Sequence, residues 1–316
     1  MNPHHSRRSF LKLAACAPIL NAALKPTLSS DTPKPARPVV CLFSKHLGWI
    51  KDYDRLAERT AQLGFEGTDL TVRPGGHVLP ERVEEDLPKA FESLKKAGLR
   101  IAMITTRIQD PRDPTTRKIL KTASSLGIRR YRRDGEKWES SRDPLKRIAE
   151  LRGRIHELAL LNKEYGLFAG VHNHSGFDLG ATPWEVYELV KSEDAQWIGS
   201  NFDVAHATIE GGLGGWRSGF HLLASASRVQ MLALKDFAWT QQSNKWEPGF
   251  CALGQGMVDF KTFFGYLKAI NFAGPISMHF EYGKHNTPRP SDEPELLADI
   301  KRDLALLRLW MAEVQL

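Results

Sequence analysis

The sequence predicts a single-domain α/β fold, a closed (β/α)8 barrel of the TIM type. Apolar strand-like runs alternate with helix-periodic segments from about residue 38 to the C-terminus. The last four runs each end on residues able to hold a metal or move a proton: His172/His174, Asp203/His206, Lys235/Asp236 and His279/Glu281. The first run is followed by Ser44-Lys45-His46, without the glycine-rich phosphate loop that a doubly wound sheet places there.

Taken in order, residues 38–44 form the first strand. The helix after it begins near Lys51, with Leu56, Thr60 and Leu63 on one face. Residues 67–72 form the second strand, and Leu87, Phe91 and Leu94 mark the next helix. Proline suits a first helical turn, so Pro88 sets that helix's start close to Leu87. The third strand is 100–106, rich in Ile and Thr; a helix over 115–125 leads to a fourth at 128–132. A long helix over 144–165 closes the first half. In the second half strands fall at 167–174, 197–203, 228–236 and 275–281. Thr182-Pro183-Trp184-Glu185 reads as a capping box, and the last helix runs from Glu293.

In a closed parallel barrel the strand ends meet on one face, where active sites sit. Side chains two apart on a strand point the same way, which groups His172 with His174 and His279 with Glu281. Asp203 and His206 are three apart, so the chain must turn after Asp203 if both are to face one centre. The glycine-rich stretch 207–215 gives it the freedom to do so. Imidazoles mixed with carboxylates suit one divalent ion of the Mn²⁺, Zn²⁺, Co²⁺ or Fe²⁺ kind better than Mg²⁺.

At 316 residues, 41% apolar and 26% charged, the chain has ample material for one large core. No apolar run approaches the ~18 uncharged residues of a membrane span. Residues 1–30 read as a twin-arginine signal peptide: Ser6-Arg7-Arg8-Ser9-Phe10-Leu11-Lys12 precedes an apolar stretch over 13–24. That signal implies the twin-arginine translocase as a partner and a periplasmic or otherwise exported location. Leu13-Ala14-Ala15-Cys16 resembles a lipoprotein box but stands too close to Arg8. Residues 31–37 are a proline-rich linker, and 38–316 the barrel. The formal charge is +7, and removing Arg7, Arg8 and Lys12 leaves +4, or +3 if Lys25 leaves too, too mild a balance to imply nucleic acid. The densest basic stretch, Arg129-Arg130-Tyr131-Arg132-Arg133, reads as a strand end with a solvated rim, with an anion contact as the sharper alternative. Cys41 and Cys251 have neither metal spacing nor a redox pair, and read as two buried thiols.

From Val39 to the C-terminus the chain resembles the xylose isomerase-like superfamily of sugar isomerases and epimerases, which also holds endonuclease IV-type repair nucleases. The resemblance rests on Gly67-Thr68-Asp69-Leu70-Thr71-Val72, Arg73-Pro74-Gly75-Gly76-His77, Asn173-His174 and Asp203-Val204-Ala205-His206, with Leu234-Lys235-Asp236, Leu253-Gly254-Gln255-Gly256 and Glu281-Tyr282 coming after them in order. The family binds its metal through Glu, Asp, His and Glu from the last four strands. Asp203 and Glu281 map directly, whereas His172 stands in place of the first Glu and Ala233 in place of the His. The resemblance therefore implies a metal set of His172, Asp203, His206 and Glu281, with His172 and His206 supplying the missing ligands. Lys235, beside the vacant Ala233 slot, is a candidate base, because a nearby cation disfavours an ammonium; a strand-end lysine paired with an acid is the equal alternative. His174 is a second proton carrier, and Glu281 is also a catalytic candidate. Lys45, His46, Arg73 and His77 are expected to line the substrate cup, with Trp239 and Trp246, on the loop after Asp236, either stacking on a sugar or serving as ordinary loop packing.

The function this implies is an exported metal-dependent sugar isomerase or epimerase, removing a proton beside a carbonyl to give a stabilised enediolate. With the first Glu replaced, a lyase or hydratase acting on keto-sugars or 3-keto-glycosides by β-elimination is the alternative. A third reading is a carbohydrate-binding barrel that has lost its chemistry.

Overall fold

The computed structural model describes residues 37–316; the leader and all but the end of the linker lie outside the described residues. Strand β1 (Val39–Phe43) pairs in parallel with β2 (Gly67–Val72) on one side and β8 (Pro275–Met278) on the other, which closes the sheet. Between them run β3 (Arg100–Thr106), β4 (Arg130–Arg132), β5 (Phe168–His172), β6 (Ile198–Asp203) and β7 (Val229–Leu234), every pairing parallel and in chain order. Each strand is succeeded by a helix: α1 (Tyr53–Leu63), α2 (Val83–Lys96), α3 (Pro114–Ser125), α4 (Pro144–Tyr165), α5 (Pro183–Val190), α6 (Val204–Ser225), α7 (Phe260–Ala269) and α8 (Glu293–Glu313). The expected (β/α)8 barrel is the observed fold. Among the described residues no helix is long and apolar enough to cross a membrane.

Two cores hold it together. The larger lies between strands and helices, where residues such as Leu42, Leu70, Ile104 and Leu232 meet the apolar helix faces. The smaller lies inside the barrel and consists of Cys41, Met103, Phe168 and Met231, one each from β1, β3, β5 and β7. Four side chains from alternate strands form one layer of a barrel interior. Above that layer, the two-residue period of each strand fixes which side chains point inward. Counting by twos leads from Cys41 through Phe43 to Lys45, from Phe168 through Gly170 to His172, and from Met231 through Ala233 to Lys235. The even strands lead likewise to Arg73, Arg132, Asp203 and Glu281. The mouth is built of charged and imidazole groups because the inward register of these strands runs out on one.

Several local expectations are corrected. Helix α2 begins at Val83, after a 3₁₀ turn at Pro80–Arg82, and carries Pro88 inside it. Its buried stripe is Val83, Leu87, Ala90 and Leu94, and that apolar face outweighs the single backbone bond that Pro88 forgoes near the N-terminus. The turn after Asp203 is the start of α6, with Asp203 as its N-cap; the glycine-rich stretch lies within the helix and breaks it at Gly212 (φ 57°). Apart from the exposed Arg129, the arginine stretch is no solvated rim: Tyr131 and Arg133 are buried, and Arg130 and Arg132 half-buried. Arg133 bonds Glu136 at 3.1 Å. Cys41 is buried and Cys251 half-buried, and both are free thiols. Trp239 and Trp246 stand not on a loop but on an antiparallel hairpin, Asp236–Gln242 with Lys245–Cys251. Ser243 and Asn244, at φ 46° and 65°, form its two-residue turn.

Candidate active site

His172 ends β5, Asp203 ends β6, and His206 sits in the first turn of α6. One ligand atom from each lies within 4.8 Å of the others. His172 Nε2 and His206 Nε2 each stand 3.8 Å from Asp203 Oδ2. The other ring nitrogens are already engaged. His172 Nδ1 faces Asn201 O at 3.3 Å, and His206 Nδ1 faces Ser175 Oγ at 2.7 Å. With Nδ1 carrying the proton, both Nε2 lone pairs point inward, the arrangement that metal-binding histidines need. Asp203 is fixed as firmly: its backbone exchanges two 2.8 Å bonds with the Asn173 side chain, and its Oδ1 caps the His206 N–H at 3.0 Å. Asp203 Oδ2 and His206 Nε2 are buried with no hydrogen-bond partner among the described residues. Buried polar atoms left without a partner are costly, so these two mark where a bound ion would be held. Burial, reinforced by Arg132 and neighbouring histidines, keeps His172 well below its usual pKa; burial, then Lys235, does the same to His206. Both are therefore neutral, as ligands must be. The residues fit a divalent transition metal.

Glu281 does not join them. Its Oε1 accepts from Lys45 Nζ at 2.5 Å and its Oε2 from Lys235 Nζ at 2.6 Å. Burial pushes the Glu281 carboxyl up, but Lys235 and Lys45 outweigh it and hold the group far below the usual carboxylate range. Lys235, whose side chain is only 3% exposed, also lies 3.5 Å from Asp203 Oδ2 and 4.4 Å over the Phe250 ring. The lysine expected as a base is thus ion-paired with two carboxylates, Asp203 and Glu281.

The first half of the chain departs further from expectation. His46 is fully buried: its Nε2 accepts from the Phe280 N–H at 2.9 Å, leaving Nδ1 to donate to His285 O at 3.2 Å. His77 is likewise saturated, with Nδ1 at 3.0 Å from Thr71 Oγ1 and Nε2 at 3.3 Å from Leu47 O. Both brace the barrel top and neither lines the cup. Asp69 is buried between Thr105 Oγ1 and Ser277 Oγ, each at 2.8 Å. Asp236 holds the loop after the hairpin, accepting from Gly254, Gly256, Val258 and Phe237. A Cβ on Gly256 would lie 2.2 Å from Asp236 Oδ1, which is why glycine stands there.

Arg73 does line a cup. A cavity of about 380 Å³ opens beside the histidine group, with Arg73, Arg132, His172 and His174 in its wall. That volume suits a small-molecule site. His174, its side chain 47% exposed, lies with its ring tilted 4.2 Å from that of His206 and bonds Ser175 O through Nδ1 at 3.0 Å. Its Nε2 lone pair is left for a substrate. Trp239 is 39% exposed and meets Phe237 at 6.3 Å, away from this group. The aromatic at the site is Phe250, edge-on to His206 at 5.7 Å. Sequence reasoning missed it because a hairpin's register, not a strand end, delivers it. His279, stacked on Phe43 at 4.4 Å, keeps both ring nitrogens buried without a partner among the described residues.

Residues 57–308 match the family of xylose isomerase-like TIM barrels. The chain belongs to that family. Among solved structures, this xylose isomerase-like barrel is similar to a xylose isomerase domain protein of Planctomyces limnophilus, at 19% identity and TM-score 0.65 over 89% of this chain and 99% of the other. It is similar to the E. coli 3-keto-D-glucoside 4-epimerase at 12% identity and TM-score 0.63, covering 86% and 100%. A D-allulose 3-epimerase of Methylomonas sp. in complex with D-allulose matches at 16% identity and TM-score 0.62, covering 87% and 98%. Such identities carry the fold. An uncharacterised Methanocaldococcus jannaschii protein, MJ1311, is 24% identical over 127 residues, 39% of this chain. The match spans two fifths of that relative's own length (40%).

Proposed function

We propose that this barrel is a divalent-metal-dependent enzyme of the sugar isomerase/epimerase type, acting on the carbon beside a sugar carbonyl. The observation that carries the reading is the convergence of His172 Nε2, Asp203 Oδ2 and His206 Nε2 at the barrel mouth, the latter two without a hydrogen-bond partner among the described residues. Structural neighbours named as sugar epimerases support the substrate class. A bound metal supplies polarisation of the substrate oxygen and a counter-charge for the negative charge that grows there.

The chain's own groups do the rest. His174 is pulled below the ordinary histidine pKa by burial and by Lys235, so at neutral pH it is an unprotonated base facing the cavity. Lys235, locked to Glu281 and 3.5 Å from Asp203, is the proton donor on the other flank of the centre. Lys45 holds the far oxygen of Glu281 and keeps that pair in place. Return of the proton by Lys235 gives the epimer or isomer. One observation favours β-elimination as the second reading: with both oxygens taken by lysines, Glu281 is a poor proton acceptor, and a lyase needs only one base.

A single incubation separates the readings. The metal-loaded chain is given D-allulose, D-fructose and a 3-keto-glucoside in D₂O. Deuterium beside the carbonyl with a changed configuration supports the epimerase, and release of the aglycone supports the lyase. Neither event from a metal-loaded chain would leave a binding protein.

Export belongs to the same proposal, supported by residues 6–12 and the apolar stretch after them. Changing both Arg7 and Arg8 to Lys should hold the protein in the cytoplasm on cell fractionation. Unchanged export would remove the twin-arginine route.

A further inference from the structure

The wall of the cavity beside His172 and His174 has more positive charge than its own acids answer. It carries Arg73, Arg107, Arg132 and Lys137 against Asp134, Glu136 and Asp178. Each of the three acids is already paired. Asp134 takes two bonds, at 3.0 Å, from Arg107, and a third from Gln109. Glu136 is held by Arg133, Arg147 and Arg154 from outside the cavity. Asp178 meets Lys137 at 2.6 Å and His174 at 3.4 Å. Arg73 and Arg132 remain. Neither guanidinium pairs with a carboxylate within 4.0 Å or donates a hydrogen bond to another described residue.

Both are half-buried, and they repel one another. Burial lowers the pKa of Arg73, and Arg132 and Arg107 lower it further. Arg73 rests on the Phe43 ring at 5.5 Å, which leaves its planar fork free at the edges. Strand register explains why the two meet: Arg73 continues the inward face of β2 beyond Asp69 and Thr71, and Arg132 ends that of β4. Asp69 and Asp134 act on both arginines, and Glu281 and Asp203 on Arg132, only from beyond ion-pair distance. Two guanidinium forks in one cavity wall with no carboxylate in contact are the recognition chemistry of a carboxylate or a phosphate.

We propose that this cavity is a subsite for an oxyanion on the sugar substrate, a carboxylate or a phosphate ester, clasped by Arg73 and Arg132 while the sugar's reacting end faces His172 and His174. The inference rests on the cavity being the substrate cup of the proposed enzyme. An exported location favours the carboxylate, and so a sugar acid.

Titration calorimetry of the full metal-loaded chain with D-glucuronate, D-glucose 6-phosphate and D-glucose tests it, with metal content measured in parallel. At least one anionic sugar should bind about tenfold or more tighter than D-glucose, the margin expected of one or two charge-assisted contacts. The tighter of the two tells carboxylate from phosphate. Arg132→Gln and, separately, Arg73→Gln should each remove most of that margin while metal content stays the same. Three sugars binding alike, or none binding, would overturn the subsite. So would a margin that survives in both variants, because the anion would then sit on the metal. An arginine-dependent margin in a chain that takes up no metal would keep the subsite and sink the metal reading. A loaded chain without the margin would do the reverse.

Discussion

The two halves of the barrel end their strands on similar residue types and use them differently. In the second half, His172 and His206 each spend one nitrogen on the protein and leave the other aimed at Asp203 Oδ2. In the first half, His46 and His77 spend both nitrogens on protein partners and offer nothing to a ligand. What the first half sends to the mouth is cationic and long: Lys45, Arg73 and Arg132. A strand-end histidine can be a ligand or a brace according to where its second nitrogen goes, and on the proposed reading one half offers donors for a metal while the other offers charge for a substrate.

The largest effect that would break this contrast is on Asp203. Asp203→Asn keeps the cap on α6 but removes the shared anionic oxygen. Metal affinity should fall by more than the ~10–100-fold that partners of the ligands themselves cost. Equal metal retention in Asp203→Asn and wild type, by competition with a chelator, would dissolve the second-half centre. Next comes Lys235→Met, which strands Glu281 and Asp203 in a buried setting. Breaking such a pair costs roughly 3–5 kcal/mol, and losing a proton carrier costs about 10²–10⁴ in rate. Denaturant unfolding and turnover should both suffer while metal stays bound; unchanged turnover would return Lys235 to a purely structural part.

The first-half braces predict a pH effect. Burial lowers His46 to about 3 and His77 to about 4, against 6.5 in the unfolded chain. Below pH 6.5 the unfolded state then binds more protons than the folded one, so stability falls as pH drops from 6.5 through 4 toward 3. Asp69, raised to about 6 by burial in spite of Thr105 and Ser277, acts in the opposite sense between pH 3.8 and 6. A variant isolates the histidine. His77→Asn should make the stability slope between pH 6.5 and 4 shallower by up to one proton, and an unaltered slope would mean that His77 is not a buried neutral brace. The smallest effects concern the hairpin. Phe250→Ala removes a ring 4.4 Å from the Lys235 ammonium, a contact worth about 0.5–2 kcal/mol, and should raise KM or lower kcat severalfold. Trp239→Ala should change neither by more than about twofold, as surface substitutions seldom do. The reverse ranking would put Trp239, not Phe250, over the substrate.

How much of this was legible in the sequence depends on the range of the forces involved. The barrel was, because alternation and helical period are local and eight strands repeat them; even the capping box at Thr182 is observed as expected. The grouping of His172, Asp203 and His206 was legible because strand ends converge on one face, and the family resemblance singled out the Asp-x-x-His pair. His46 and His77 were not: the Phe280 N–H and the Leu47 carbonyl that saturate them lie 234 and 30 residues away. Nor was the double clamp on Glu281, since Lys45 reaches it across the closure of the barrel, 236 residues away.

The most direct test is the metal-to-chain ratio of the purified protein after exhaustive dialysis, measured for the wild type and for Glu281→Gln. A centre built from His172, Asp203 and His206, with Glu281 held aside by two lysines, predicts about one transition-metal ion per chain in both. A wild type that takes up none, or a Glu281→Gln chain that loses its ion, would contradict it.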